Sequence, residues 1–279
     1  MDGKQAEIGI IGGSGFYEFL DGQEVGITTP YGEPSDKILV AEYEGKKIAF
    51  LPRHGKKHQY PPHQINFRAN LYALKKLGVK HIIAPASVGS LKPAIEPGHF
   101  VLCDQFLNLT RSRADTFFDG AKAVNSREGN LFGRVAHIST AEPYCPELRN
   151  LAASACSDLN IPHHKQGTVL VIEGPRFSTK AESRFFANFA DVINMTQYPE
   201  VVLARELEMC YLNISLVTDY DAGLAGRQDI KPVNSQEVLR VFKDNNEKVK
   251  QVTLEIIKNL PAAEKLTCGC QSALKDAFL

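Results

Sequence analysis

The sequence predicts an α/β protein, a single domain whose central mixed β-sheet is flanked by helices. Three observations carry this reading. Short runs rich in Ile and Val alternate with amphipathic stretches along most of the chain, the pattern of strands threaded between helices. Several runs are apolar at every position, which suits a sheet covered on both faces and not one with a wet side. No linker, repeat or low-complexity segment divides the 279 residues; length alone allows nearly two domains, but α/β chains of about 250 residues often build one.

Taken in order, strands are expected over 8–11, 37–43, 47–51, 81–86, 100–103, 168–172, 192–195 and 212–218. Helices fit 64–77, 146–159, 179–189, 199–208 and 235–260. The last is the clearest. Asn234 with Glu237 three residues on imitates a capping box, and Val238, Val241, Phe242, Val249, Val252, Ile256 and Leu260 recur at helical spacing, so one stripe should lie on the sheet. Pro199 suits the first position of its helix. Residues 121–133 are polar and rich in Gly, Asn and Ser and read as a surface loop. Residues 260–279 read as a C-terminal tail of the one domain, 1–279.

Composition narrows the function. Thirty-two Lys and Arg balance 32 Asp and Glu, which removes the basic field that nucleic-acid binders use. No run approaches the roughly 18 apolar residues of a membrane span, and the start lacks a secretory layout. A cytoplasmic protein without nucleic-acid or membrane partners is expected. Of the six cysteines, Cys103, Cys145, Cys156 and Cys210 sit among apolar neighbours and read as buried small hydrophobes. Cys268 and Cys270, one residue apart in the tail, could close a tight disulfide or join a metal site. No second CxxC or CxxH completes a zinc cage, so no metal is expected.

The chemistry concentrates at strand ends, where open α/β sheets bind ligands. Gly12-Gly13-Ser14-Gly15 follows the first strand. Its amides and the Ser14 hydroxyl could cradle a phosphate, or the loop is a plain tight turn. A dinucleotide fingerprint fails, because the required third glycine would fall at Glu18. Arg53-His54-Gly55 and Ala86-Ser87-Val88-Gly89-Ser90 add a guanidinium and hydroxyls at two further strand ends, together describing an oxyanion site; a surface ion pair is the plainer reading of Arg53. In Glu173-Gly174-Pro175-Arg176-Phe177-Ser178, Gly-Pro turns sharply, Arg176 could pair a carboxylate and Phe177 could face a flat ligand or serve the core. Thr196, in Asn194-Met195-Thr196, supplies another hydroxyl. Thr218-Asp219-Tyr220-Asp221 ends the most apolar strand with two carboxylates, which could simply cap the next element.

Together and in this order, these motifs resemble the 5'-methylthioadenosine phosphorylase family, the trimeric branch of the purine nucleoside phosphorylases, over roughly residues 8 to 260. The resemblance implies a nucleoside phosphorylase-like α/β fold, a cytosolic homotrimer or dimer of trimers, and a pentosyltransferase reaction needing no cofactor, with inorganic phosphate as co-substrate. Methylthioadenosine would yield adenine and 5-methylthioribose 1-phosphate, serving purine and methionine salvage. It implies that Ser14, Arg53, His54, Ser87 and Thr196 hold phosphate. Phe177 would pack on the purine, Met195 under the ribose, and Asp219 and Asp221 would face the base. Val238 and Leu239 would line the 5' pocket together with His137 lent by a neighbouring subunit. Two positions depart from the family pattern: Ala86 replaces a Thr of the phosphate loop, and Ser235 replaces a Val of the 5' pocket. The tail pair resembles a Cys-x-Cys element of archaeal members that form disulfides, with Cys145 and Cys210 where those members can pair.

Charge dictates the mechanism so implied. As the glycosidic bond lengthens, phosphate beneath the sugar stabilises the growing cation, and a protonated carboxyl must donate to purine N7, which calls for a raised pKa in a dry pocket. Asp219 is expected to be that donor, with Asp221 accepting from the 6-amino group. Two aspartates favour adenine, because a 6-oxo purine would set acceptor against acceptor. The rival readings are the same reaction on 6-oxopurine nucleosides, and a non-catalytic nucleoside-binding module, which would need no leaving-group acid. Overall neutrality would then hide a polarised pocket, with Arg53 and His54 at one end and the two aspartates at the other.

Overall fold

The computed structural model describes residues 6–13, 21–120, 133–224, 227, 229–262 and 265–278. Among them eleven strands join one mixed sheet. Its centre is β5 (His81–Ser90), buried at every position except Ser87. A buried strand must have its backbone groups paired, and β5 finds its partners on two edges. β11 (Cys210–Asp219) runs parallel along one edge, from His81 to Gly89. The other edge is shared: β1 (Ile8–Gly12) pairs with His81, Ile82 and Ile83, whereas β10 (Val192–Asn194) pairs with Gly89 and Ser90 in the opposite sense. The sheet therefore forks along β5, and the ends of β1 and β10 meet at the fork. Beyond β1 lie β4 (Lys46–Pro52), β3 (Ile38–Tyr43) and β2 (Gly22–Val25); beyond β10 lie β9 (Thr168–Ile172) and β7 (Gln105–Leu109). β6 (Phe100–Val101) and β8 (His163–His164) continue from β11.

Alternation along these strands sends side chains to two cores. Ile11, Leu51, Ile82 and Val217 meet α1 (Phe67–Lys76) and α4 (Gln197–Glu206) through Leu71, Leu74, Val201 and Leu203. On the other face, Ile8, Ile10, Ile83 and Leu212 meet α2 (Pro146–Asp158) and α5 (Ser235–Asn259) through Leu148, Ala152, Val252 and Ile256. Each such side chain, fully buried, is worth roughly 1.5–3 kcal/mol of transfer free energy. The short α3 (Lys180–Phe186) is closed at its start by a reciprocal capping box between Thr179 and Glu182.

The fold thus has the α/β mixed-sheet form expected, with local differences. β5 runs on through Ser90 because β11 keeps pairing with it, whereas the strand expected over 100–103 pairs only at Phe100 and Val101. β2, β7 and β8 were not expected. β2 and β7 are largely exposed and β8 has two half-buried histidines, so none carries a buried apolar run. In α4, Tyr198 is non-helical (φ −107°, ψ 134°), so regular helix begins at Pro199 as that residue suggests. Asn234 caps α5 by accepting from the Glu237 amide at 2.9 Å, and at the far end Lys46 Nζ donates to the carbonyls of Ile257, Lys258 and Leu260 at 2.6, 3.0 and 2.7 Å. The C-terminal segment is no loose tail: Leu274 and Phe278 pack on one core, Leu266 and Cys268 on the other, and Cys270 and Ala277 are buried. The loop expected over 121–133 lies outside the described residues apart from Gly133.

Candidate active site

At the fork, the end of β4 places Arg53 beside the end of β1 and the middle of β5. Arg53 is buried, and its guanidinium is held by four hydrogen bonds to three partners: Nε and Nη2 grip the Glu200 carboxylate at 2.7 and 2.8 Å, Nη2 donates to the Ile11 carbonyl, and Nη1 donates to the Pro85 carbonyl. Tyr211 Oη donates to the same carboxylate at 2.7 Å. Burial alone would lower the pKa of Arg53, but Glu200 more than offsets it and the net shift is upward. Four of the five N–H groups of this guanidinium are thereby occupied. Arg53 is neither a surface ion pair nor a free cation. It pins β1, β4, β5 and α4 together and leaves one N–H of Nη1 for a ligand.

His54 follows. Its Nδ1 lies 2.8 Å from the Tyr60 carbonyl, and its ring stacks on His58 at 4.4 Å. Burial first, then the Arg53 and His58 charges, lower its pKa to about 4 against the carbonyl's opposing pull. At neutral pH the ring is uncharged, its proton sits on Nδ1 facing the carbonyl, and Nε2 is an acceptor.

Asn194, which ends β10, organises the rest of this side. Its Nδ2 donates to the Ser87 carbonyl at 2.9 Å, and its Oδ1 accepts from the amides of Thr196 and Gln197 at 2.6 and 2.8 Å. One side chain thus joins the middle of β5 to the start of α4. Ser87, half-buried on β5, and Thr196, buried at the N-cap of α4, are tied to this one side chain, Ser87 through its carbonyl and Thr196 through its amide and, at 3.3 Å, its hydroxyl. The structure therefore brings Arg53, His54, Ser87 and Thr196 to adjoining strand ends. Ser14 lies outside the described residues.

The second group lies two β5 residues beyond Ser87, at Gly89. Between Val217 and Asp219 the register of β11 slips, so that Asp219 pairs with Gly89. Such a bulge re-aims a side chain. Asp219 accepts from the Thr218 hydroxyl and the Asp221 amide, both at 2.7 Å. The Thr218 hydroxyl also lies 3.3 Å from the Val88 carbonyl, an alternative acceptor if Asp219 takes a proton. Burial raises Asp219 to about 6 despite these two donors. Asp221, at a left-handed φ of 48°, is raised as well, chiefly by burial, with the Ser183 and Ser178 hydroxyls working against it. In the geometry itself Asp221 Oδ2 and Ser178 Oγ are buried without a hydrogen-bond partner; buried polar atoms are normally satisfied, so this end offers unfilled bonds to a ligand. Gly89 is needed here, since a Cβ would come within 2.8 Å of Asp219 Oδ1.

Met195 lies half-buried just past β10, and a Cβ on Gly174, whose φ is +69°, would come within 2.7 Å of its sulfur. That approach ties Met195 to the turn carrying Phe177, which is 38% exposed. Arg176 pairs with Glu182 through two 2.8 Å bonds on the surface. Val238 and Leu239 sit in the first turns of α5, the former half-buried and the latter exposed. The Val233 amide, just before that helix, donates to the Asp221 carbonyl at 2.8 Å. His137 is exposed and bonded through its amide to Ala277, so this chain does not bring it to the other residues. Sequence reasoning missed Glu200 as a partner and Asn194 as an organiser.

The chain belongs to the phosphorylase superfamily, whose model it matches over residues 7–258. Its relatives within that superfamily include S-methyl-5'-thioadenosine phosphorylases. That of Pyrococcus horikoshii is 51% identical over 274 residues, 98% of this chain and 99% of the relative. Among solved structures, a methylthioadenosine phosphorylase sourced from an antarctic soil metagenomic library aligns with a TM-score of 0.88 at 38% identity, over 99% of this chain and 93% of that one. The methylthioadenosine phosphorylase of Schistosoma mansoni in complex with adenine aligns with a TM-score of 0.85 at 33% identity, over 97% of this chain and 96% of that one.

Proposed function

We propose that this protein cleaves 5'-methylthioadenosine with inorganic phosphate, releasing adenine and 5-methylthioribose 1-phosphate for purine and methionine salvage. The observation that carries the reading is the buried carboxyl pair at the end of β11, with Asp219 raised to about 6 and paired with Gly89, two β5 residues beyond Ser87 in the group formed by Arg53, His54, Ser87 and Thr196. In the reaction a phosphate oxygen forms a bond to C1' as the C1'–N9 bond breaks and its electron pair moves onto the purine. Asp219, protonated, gives its proton to N7 and is left as a carboxylate, which solvent reprotonates after release. Asp221, with Oδ2 unpaired, accepts from the 6-amino group. The Arg53 N–H and the Ser87 and Thr196 hydroxyls, with Ser14, hold the phosphate, and neutral His54 accepts from its remaining O–H. Phe177 covers the purine, Met195 lies under the ribose, and Val238 and Leu239, with His137 of a neighbouring subunit, surround the methylthio group.

This reading also places the protein in the cytoplasm as a homotrimer or dimer of trimers, with phosphate as co-substrate and no cofactor in the reaction. Exposed Phe185 and Phe189, whose rings stand 5.3 Å apart, support assembly, as apolar surface of this kind is usually covered. The test is phosphate-dependent release of free base, with Asp219→Asn as the control: turnover that survives this substitution undiminished removes Asp219 from the proton transfer.

A further inference from the structure

Behind the phosphate end of the site, four polar side chains form a line of hydrogen bonds through the core. Tyr144 Oη donates to Gln197 Oε1 at 2.7 Å, Gln197 Nε2 to Ser215 Oγ at 3.0 Å, Ser215 Oγ to Asn213 Oδ1 at 2.6 Å, and Asn213 Nδ2 to the Ala84 carbonyl at 2.7 Å. Asn213 and Ser215 stand two apart on β11, opposite Ala84 and Ala86 of β5, so both side chains leave the sheet on one face. All four residues are at most 2% exposed, so bulk water replaces none of these bonds.

The direction of the line is forced. A carbonyl only accepts, so Ala84 fixes the amide of Asn213, whose oxygen must then face Ser215. Ser215 gives its proton there and is left as an acceptor. That fixes the Gln197 amide in turn, with its oxygen toward the phenol. Burial pushes the Tyr144 phenol well above its ordinary pKa, so it keeps the proton it donates. Cys103 Sγ lies 3.4 Å from Ser215 Oγ and, with the Ser215 proton committed, is the donor of that pair. A buried network with every member satisfied specifies one geometry, whereas apolar packing of the same volume tolerates several.

Both ends of the line reach groups assigned above to phosphate. Ala84 precedes Pro85, whose carbonyl accepts from Arg53 Nη1 at 3.2 Å. Gln197 follows Thr196, and its amide donates to Asn194 Oδ1, while Asn194 Nδ2 donates to the Ser87 carbonyl. The bonds therefore close a circuit that leaves β5 at Ala84, passes through β11 and the start of α4, and returns to β5 at Ser87. We infer that Gln197 is a positioning residue for phosphate: clamped between Tyr144 and Ser215, it fixes the start of α4, and with it the Thr196 hydroxyl, relative to the Arg53 guanidinium. Binding groups must be held to within about 0.5 Å to work together, and this circuit supplies the rigidity. The inference rests on the proposed function, in which Thr196 and Arg53 hold phosphate. Gln197 itself is walled into the core and touches no substrate.

The experiment measures the Kd of inorganic phosphate by calorimetry on the full chain, together with the KM for phosphate and for methylthioadenosine and the Tm of each variant. Gln197→Met keeps the length of the side chain and removes both of its bonds. It should raise the phosphate Kd roughly tenfold, as for a binding group displaced by a fraction of an ångström, and leave the methylthioadenosine KM within about twofold. Tyr144→Phe removes a single O–H and should give a smaller rise in the same direction, a reading that does not depend on Gln197→Met folding. Combining the two changes removes the phenol that Gln197→Met strands, and should restore part of the lost Tm because apolar groups replace both partners. The phosphate Kd should nevertheless stay raised, whereas a role in stability alone would bring it back with the Tm. A native phosphate Kd in folded Gln197→Met or in Tyr144→Phe, a Kd that recovers with the Tm in the double variant, or an equal rise in both KM values overturns the inference. An unmutated protein that binds no phosphate overturns it along with the assignment of Thr196 and Arg53. Phosphate bound without release of base sinks only the proposed reaction, since the shift in Kd is still there to read.

Discussion

The Asp219 carboxyl is held at about 6 by burial, against an ordinary value of 3.8. Between those two pH values the folded state binds more protons than the unfolded chain, so the protein loses stability as pH rises from about 4 to about 6 and does not regain it above. Asp219→Asn removes that penalty and also the transferable proton. We expect it to raise the unfolding free energy at pH 7.5 by about 1–2 kcal/mol, less than the full shift because Asn keeps only part of the bonding to Thr218 and Asp221. It should cut kcat/KM by roughly 10²- to 10⁴-fold. Denaturant melts and steady-state rates on the same sample check both. In the unmutated enzyme kcat/KM should decline as pH rises above about 6; a profile flat to pH 9 would mean the carboxyl is not the donor. Gly89→Ala probes the same carboxyl through geometry, since its Cβ would press on Asp219 Oδ1 at 2.8 Å. It should lower kcat/KM in the native background and cost little more once Asp219 is already Asn, a coupling that a double-mutant cycle reads directly.

At the scale of elements, the site is held by contacts that join strand ends to α4. Glu200 is the chief of these: with Arg53 it forms a pair whose side chains are 4% and 0% exposed. Truncating one member of a buried pair strands the other charge, so Glu200→Ala should cost about 3–5 kcal/mol in equilibrium unfolding. The far end of α5 offers a gentler case. Lys46→Met leaves three helix carbonyls to water or to nothing and should cost about 1–2 kcal/mol in the same measurement. What was legible in the sequence follows from this architecture. Strands β1, β4, β5, β9 and β11 announce themselves because both faces are buried and the runs are apolar. β7 is largely exposed, so no hydrophobic signal marks it. Asn194 was visible as part of a motif, yet its function is set by Ser87, 107 residues away. Glu200 lies in a helix buried at most of its positions, yet nothing local in the sequence reveals that Arg53 waits beside it.

For the whole molecule, the sequence suggested a neutral chain with a polarised pocket, and the structure alters both ends of that picture. Arg53 is neutralised by Glu200 and His54 is uncharged at neutral pH, whereas Asp219, at about 6, keeps its proton only in part there. The phosphate end of the site is therefore built from directed N–H and O–H donors and an imidazole acceptor, with little net field. A phosphate held this way should be insensitive to screening, so the phosphate KM should change by less than about twofold when ionic strength is raised from about 0.05 to 0.5 M. The donor and acceptor pattern at the other end sets the substrate, because Asp219 and Asp221 suit a purine that presents an acceptor at N7 and a donor at position 6. The most direct measurement is free base released from methylthioadenosine, adenosine and inosine side by side, with and without inorganic phosphate. We expect release that depends strictly on phosphate, is fastest from methylthioadenosine and is slowest from inosine. Base release without phosphate, or inosine as the best substrate, would contradict it.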